Sequence, residues 1–324
     1  MRGERVVWMD GVRGTFILFV MIWHGTAVAN WTGAPTPAWF EGFNAALAPV
    51  RIPVLVFLSG MLLGRSFEKP AGPFVFGKFA LLFWPCLIWS WLYLFVRGTY
   101  APERLVSTIW LPETYLWYLH TLFLFYLAVL PIRRLRISFP AAALFGFVLS
   151  AAFDWHAYID RALFLFPFFL MGHETIERGW HRTIPSWLVV LGAGATVAGG
   201  WLAISGHLVR YQPAYAWIPA GFLLVLIHFA PRIPAQLWPA PVVSIGANSI
   251  IYYVSHMAAQ LAATHGLKLL GVTGFWPMFA IPFLVALAVA AGLQKLRTRH
   301  WLAALPFDLR AALPDRKTKP PAPA

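Results

Sequence analysis

Apolar residues run through this chain in long unbroken stretches, such as FILFVMIW and LLFWPCLIWSWLYLFV. Barrel strands would alternate apolar and polar positions over about ten residues. These runs are continuous, and a bilayer is crossed by about 20 mostly apolar residues whose backbone bonds are closed inside one helix. The pattern therefore predicts an all-α polytopic membrane protein of about ten transmembrane helices. The spans fall near 13–31, 45–64, 79–96, 114–131, 139–153, 161–175, 186–205, 214–230, 242–263 and 274–293. The fifth and sixth are the shortest. Turn-rich pieces, TGAPTP, EKPAGP, ISFP and APRIPAQLWPAP, separate several of them. No internal repeat and no second domain is visible. One transmembrane domain is expected over 1–294, followed by a basic cytoplasmic tail over 295–324. That tail ends in KTKPPAPA and reads as solvated, with little fixed structure.

Composition agrees with that pattern. Hydrophobic residues make up 60% of the 324 and charged residues 11%, where a soluble domain carries about a quarter charged. The formal net charge of +13 raises the question of nucleic acid. Most basic residues lie between apolar runs, which points to topology and anionic lipid headgroups instead. They also alternate from one connection to the next. Nineteen fall on the side of Arg2, Arg13, Arg65, Arg133, Arg178 and the tail, five on the side of Arg97, Arg104, Arg161, Arg210 and Lys268, and Arg51 lies inside the second span. The positive-inside rule then puts both termini in the cytoplasm, as an even number of spans requires. The start also has the features of a signal peptide, with Ala27-Val28-Ala29 as a cleavage-like site. Cleavage there would leave nine spans and break the charge alternation. The single cysteine, Cys86, excludes an internal disulfide and a multi-cysteine metal site.

Ionisable side chains within membrane helices are costly and mark function. In the first span Arg13 and His24 are eleven residues apart, close to three full turns, so they share a face about 16 Å apart along the axis. Asp10 precedes Arg13 by three residues and can pair with it or cap the helix. An arginine at the inner face can hold an anionic donor, such as the phosphates of coenzyme A. A deep imidazole can take a proton from an acceptor hydroxyl or carry the acyl group itself. In the second span Arg51 is a charge near or within the membrane, two residues before Pro53, and Ser59-Gly60 permits close helix packing. In the fourth, His120 follows Trp117 on nearly the same face, beside Tyr118. In the ninth, Asn248, Tyr252 and His256 recur every four residues as a polar stripe. No phosphate-cradling glycine loop, no HExxH and no G-x-S-x-G is present.

These motifs resemble the membrane acyltransferase-3 family. Its opening pattern, LDxLRGxxxxxVxxxH, is similar to Met9-Asp10-Gly11-Val12-Arg13-Gly14 followed by Val20 and His24. A PxFFFLSGFL pattern is met by Pro53, Phe57, Leu58, Ser59, Gly60 and Leu62, and an LWFLxxLxxxYL pattern by Leu116, Trp117, Leu119, Leu122, Tyr126 and Leu127. A GxxSxxIYxxH-like segment is met by Gly246, Ser249, Tyr253 and His256.

The resemblance implies a bacterial inner-membrane O-acyltransferase. It would move an acyl group, acetyl or succinyl, from cytoplasmic acyl-CoA to a carbohydrate or glycolipid on the far side. Acyl-CoA is then a co-substrate, with no tightly bound cofactor, no metal and no nucleic-acid partner. His24 and Asp10 are the expected catalytic residues, and Arg13 and Arg51 the donor-binding ones. Trp117, His120, Asn248, Tyr252, His256 and Ser59 are expected to support the acceptor. The rival reading is a transporter or flippase, which intramembrane Arg and His and proline-broken spans would also suit. Against it, the chain shows no two related halves, and Glu174 is the one acidic residue inside a span.

Overall fold

A computed structural model describes residues 6–111, 114–153, 156–208 and 210–313. The protein is 80% helical, with no strand among the described residues. The chain is a multi-pass membrane protein. Among the described residues, six helical stretches are long and apolar enough to cross a bilayer: Val7–Trp31, Ala38–Gly60, Ala71–Val96, Ser186–Ile204, Pro213–Arg232 and Phe275–Arg299.

The elements that place the site are α1 (Val7–Trp31), α2 (Ala38–Leu47), α3 (Arg51–Gly60), α4 (Leu63–Phe67), α5 (Ala71–Lys78), α6 (Trp84–Val96) and α7 (Pro102–Ser107). A π-helical turn at Phe79–Phe83 joins α5 to α6. There follow α8 (Trp117–Arg134), α9 (Phe139–Ala152), α10 (Ala157–Glu177), α11 (Trp180–Thr183), α12 (Ser186–Ile204), α13 (Trp217–Phe229), α14 (Ala240–Ala247), α15 (Ser249–Leu269), α16 (Phe275–Arg299) and α17 (Trp301–Ala304). The other four expected spans coincide with α8, α9, α10 and α14–α15. α9 is only 14 residues long. The rest carry polar residues that dilute their apolar character, such as His120 and Thr121, Asp160 and Arg161, or Ser255, His256 and Gln260. Most of those are buried inside the bundle, where polar groups in a membrane protein belong.

Burial sorts the helices. α1 and α15 form the centre: Met21, Val254 and His256 are fully enclosed. α9, α12 and α16 present Phe145, Val190, Val197 and Leu284 outward, each more than 60% exposed. An apolar outer surface of that extent is a lipid-facing one.

Glycines let the central helices meet backbone to backbone. A Cβ on Gly14 would stand 2.0 Å from the Val242 carbonyl oxygen, and one on Gly246 would stand 1.8 Å from the Asp10 carbonyl oxygen, so α1 and α14 cross with no room for a side chain. The same holds for α3 and α10, where Gly60 meets Phe169 and Gly172 meets Phe57. α1 and α3 run in opposite directions. Arg51 shares a cavity with His24, and Ser59 shares one with Arg13.

The C-terminal expectation is corrected. Residues 295–299 continue α16. The chain then turns back so that Phe307, 1% exposed, lies against Trp89 at 5.4 Å between ring centres. Trp84 Nε1 donates to the Leu305 carbonyl (2.8 Å) and Trp89 Nε1 to the Pro306 carbonyl (3.2 Å). Arg310 pairs with Asp308 at 2.7 Å, a contact that raises its pKa. Basic composition suggested a solvated tail, yet Phe307 and two indole-to-carbonyl bonds dock residues 305–307 against α6, while KTKPPAPA lies outside the described residues. Arg2, Arg5, Arg316, Lys317 and Lys319 of the charge count lie outside the described residues.

Candidate active site

Three cavities lie in sequence along α1. The first, of about 600 Å³, is lined by His24 near the C-terminal end of that helix, with Arg51, Tyr115, Trp117, Arg161, Arg210 and Tyr253 around it. The second, of about 300 Å³, lies midway and is mostly apolar. Ile17, Leu55, Leu81, Leu119 and Leu122 line it, together with Arg13, Ser59, Lys78, Tyr118 and Tyr126. The third, of about 800 Å³, surrounds the start of α1 with Asp10, Arg13, Arg65, Arg178, His181 and Arg182. Tyr253 lines both the first and the second, and Arg13 both the second and the third. The cavities are thus neighbours along α1, each sharing a lining residue with the next.

His24 sits on this path as half of a histidine pair. His24 Nδ1 and His256 Nε2 are 2.9 Å apart. The other nitrogen of His256, Nδ1, is 2.7 Å from the Tyr253 carbonyl and 3.2 Å from that of Tyr252. A carbonyl oxygen only accepts, so His256 Nδ1 carries a proton and donates it there. With both rings neutral, His256 Nε2 is an acceptor, and His24 Nδ1 must be the donor to it. That leaves the lone pair of His24 on Nε2. The chain of bonds therefore selects one tautomer of His24, as second partners of catalytic histidines do.

His256 itself is held firmly. It is 0% exposed, and the Tyr115 ring packs across it at 5.2 Å and across His24 at 6.0 Å. Tyr115 and α15 are tied reciprocally: the Tyr115 hydroxyl donates to the Val254 carbonyl, and the Tyr253 hydroxyl donates to the Tyr115 carbonyl at 2.8 Å. On the same face of α15, Gln260 Nε2 donates to the Met21 carbonyl at 3.0 Å, binding α15 to α1 one turn from the pair.

The structure divides the residues singled out from sequence. His24, His256, Arg51 and Trp117 come together. Trp117 and Arg51 line the His24 cavity, so Arg51 stands at the opposite end of the path from Arg13. Asp10 is not beside His24. It lies in the third cavity, 3.4 Å from Arg13, about 21 Å along the helix from the imidazole. Ser59 lines the middle cavity, its hydroxyl bonded to the Leu55 carbonyl (2.8 Å) and 3.4 Å from the Tyr118 hydroxyl. His120 is bonded to the Tyr158 hydroxyl (2.6 Å) and the Ile109 carbonyl (3.1 Å), away from the cavities. Tyr252 reaches Gln294 on α16 (3.1 Å), and Asn248 reaches back to the Ser244 carbonyl at the α14–α15 junction (3.0 Å). The four-residue stripe on α15 therefore splits, with only His256 reaching the site.

Several lining residues were not singled out as site residues. Arg161 and Arg210 were read as outer-side charges; both line the His24 cavity. Tyr211, at φ 63°, adopts the left-handed conformation that a tyrosine rarely takes and lines the same cavity. Lys78 lies over the Tyr126 ring at 3.5 Å and donates to Ser66 Oγ (2.9 Å) in the middle cavity. The signal for all four was a polar residue at the edge of an apolar run.

The fold is thus a helical membrane bundle with a tautomer-fixed histidine in the wall of its first cavity. The model of the acyltransferase domain of the acyltransferase-3 family matches residues 6–294, and the chain belongs to that family, a family of membrane acyltransferases. Neither a curated protein nor a solved structure is similar enough to the chain to count as a match.

Proposed function

We propose that the protein transfers an acyl group from cytoplasmic acyl-CoA to a hydroxyl of a carbohydrate or glycolipid at the outer face of a bacterial inner membrane. The observation that carries this reading is the placement of His24, with its lone pair on Nε2, in the wall of the first cavity, which shares Tyr253 with the cavity that Arg13 lines. In this account the bundle crosses the membrane ten times with both termini in the cytoplasm. The basic third cavity then faces the cytoplasm. Its arginines suit the phosphates of the donor, and the narrow apolar middle cavity suits the extended arm that carries the thioester.

The acceptor enters from the His24 side. Nε2 of His24 takes the proton of the attacking hydroxyl as its oxygen bonds to the thioester carbonyl carbon. Collapse of the tetrahedral intermediate breaks the carbon–sulfur bond, and the coenzyme A thiolate leaves with that proton from His24. His256 accepts from Nδ1 throughout and stabilises the imidazolium as it forms, through a charge-assisted bond. Alignment of two substrates from different compartments supplies the rest of the rate.

The test is mass spectrometry of surface glycans and glycolipids from cells carrying the wild-type protein, a deletion, or His24→Ala. An added acyl mass present only with wild type supports the proposal and identifies acyl group and acceptor. An unchanged acyl pattern, with a glycan or lipid mislocalised in the deletion, would favour transport.

A further inference from the structure

The His24 cavity is more cationic than O-acylation of a neutral sugar requires. Three guanidinium groups line it, those of Arg51, Arg161 and Arg210, against one carboxylate, Asp160. None of the three arginines makes an ion pair with a described residue. Each is instead laid on an aromatic ring. Arg51 and Arg210 lie over Trp23 at 5.2 and 5.5 Å, and Arg161 over Trp117 and Tyr211 at 5.4 and 5.8 Å.

A guanidinium held beside a ring rather than by a carboxylate keeps N–H donors for a ligand, and a guanidinium can bind a carboxylate or phosphate two bonds at a time. Arg51 adds a second observation. It is 4% exposed, its Nη2 bonds to the Asn44 carbonyl, and its Nε has no partner. A buried charged donor without an acceptor is costly unless a ligand satisfies it. Burial pushes the Tyr211 phenol up, while Arg210, Arg161 and Arg51 pull it the other way. Tyr211, which Arg161 approaches, itself sits in a strained backbone conformation.

The cavity, at about 600 Å³, has the size of a site for an oligosaccharide-sized ligand, far more than a two- or four-carbon acyl group fills. Trp23, Trp117 and Tyr211 in the lining are rings of the kind that pack on sugars, and each has an arginine beside it. From this arrangement we infer that the acceptor is an anionic carbohydrate, a sugar bearing a carboxylate or phosphate close to the hydroxyl that is acylated. Arg161 and Arg210 select it, and Arg51 holds it against His24. This rests on the acyl-transfer reading of the same site.

The test is ligand binding to the purified full-length protein in lipid nanodiscs, by calorimetry. The probes are methyl β-glucuronide, glucose 6-phosphate and the neutral methyl β-glucoside. At least one anion should bind about tenfold or more tighter than the neutral sugar, the ratio one added charge-assisted bond supplies. Which anion it is tells carboxylate from phosphate. The preference should weaken about tenfold in Arg161→Gln and in Arg210→Gln and recover in part in Arg161→Lys, with melting temperatures showing that each variant is folded. Equal binding of neutral and anionic sugars, no saturable binding of either anion, or a preference that survives both glutamine variants would overturn the inference. So would a change in the succinyl-CoA to acetyl-CoA rate ratio in those variants with sugar binding unaltered, because the arginines would then hold an acyl carboxylate. His24→Ala separates the two readings. It should keep anion binding and lose transfer; retained transfer would remove the catalytic account while leaving the anion site standing.

Discussion

Replacing His256 tests the fixed tautomer of His24. In His256→Phe the ring volume is kept but the acceptor at Nε2 is lost, so the 2.9 Å bond to His24 Nδ1 disappears. In the ground state that is one neutral bond, worth about 0.5–1.5 kcal/mol. As His24 gains a proton in the transition state the same bond becomes charge-assisted, worth about 1.5–3 kcal/mol. The barrier should rise by the difference between the two, about 1–1.5 kcal/mol, a fall in kcat of about 5- to 13-fold. KM for acyl-CoA should hardly move, because His256 is fully buried and lines none of the three cavities. His256→Gln places an amide oxygen near the old Nε2 and should recover most of the rate. The assay is thiol release from acyl-CoA by purified protein, with melting temperature measured alongside. A His256→Phe enzyme with unchanged kcat would refute the reasoning, as would equal losses in Phe and Gln variants at equal stability.

Other outcomes follow from the packing. Phe307→Ala should cost about 3–5 kcal/mol, as for a fully buried aromatic ring, and thermal melting in detergent will show a lowered midpoint; an unchanged midpoint would mean the C-terminal segment is not docked. Gly246→Ala drives a methyl group against the Asp10 carbonyl oxygen at 1.8 Å and should sharply reduce folded yield, whereas Gly194→Ala, with nothing within 4 Å, should leave yield on gel filtration unchanged. His120→Phe leaves the Tyr158 hydroxyl with Thr121 Oγ1, which donates to it at 3.1 Å, and removes the bond to the Ile109 carbonyl; it should destabilise by about 1–3 kcal/mol, yet kcat per folded molecule should stay within about twofold of wild type, and a larger fall would bring His120 back to the site.

The sequence carried the class of fold because lipid imposes long apolar helices, and it carried α1 because Arg13 and His24 share a face through simple helical arithmetic. It also brought out His256, but as one of a stripe of three. Periodicity places Asn248, Tyr252 and His256 on one side of a helix, yet Asn248 caps the break between α14 and α15, and this turns it away from the other two. Asp10 was linked to His24 through a shared motif, although a straight helix keeps them about 21 Å apart. Arg161 and Arg210 were legible only as charges, since nothing local says that two connections far apart in sequence fold over the same cavity. The docked C-terminus was hidden for a similar reason: the groove that receives Phe307 is made by Trp84 and Trp89, more than 200 residues earlier.

The central claim is that His24 takes the acceptor proton during acyl transfer. Its most direct test supplies acetyl-CoA labelled in the acetyl carbon to membranes from cells expressing wild type or His24→Ala at equal levels, and counts label in the carbohydrate and glycolipid fraction. The account predicts a loss of about 10²- to 10⁴-fold, the range for removal of a general base. Equal labelling by the two membranes would contradict it.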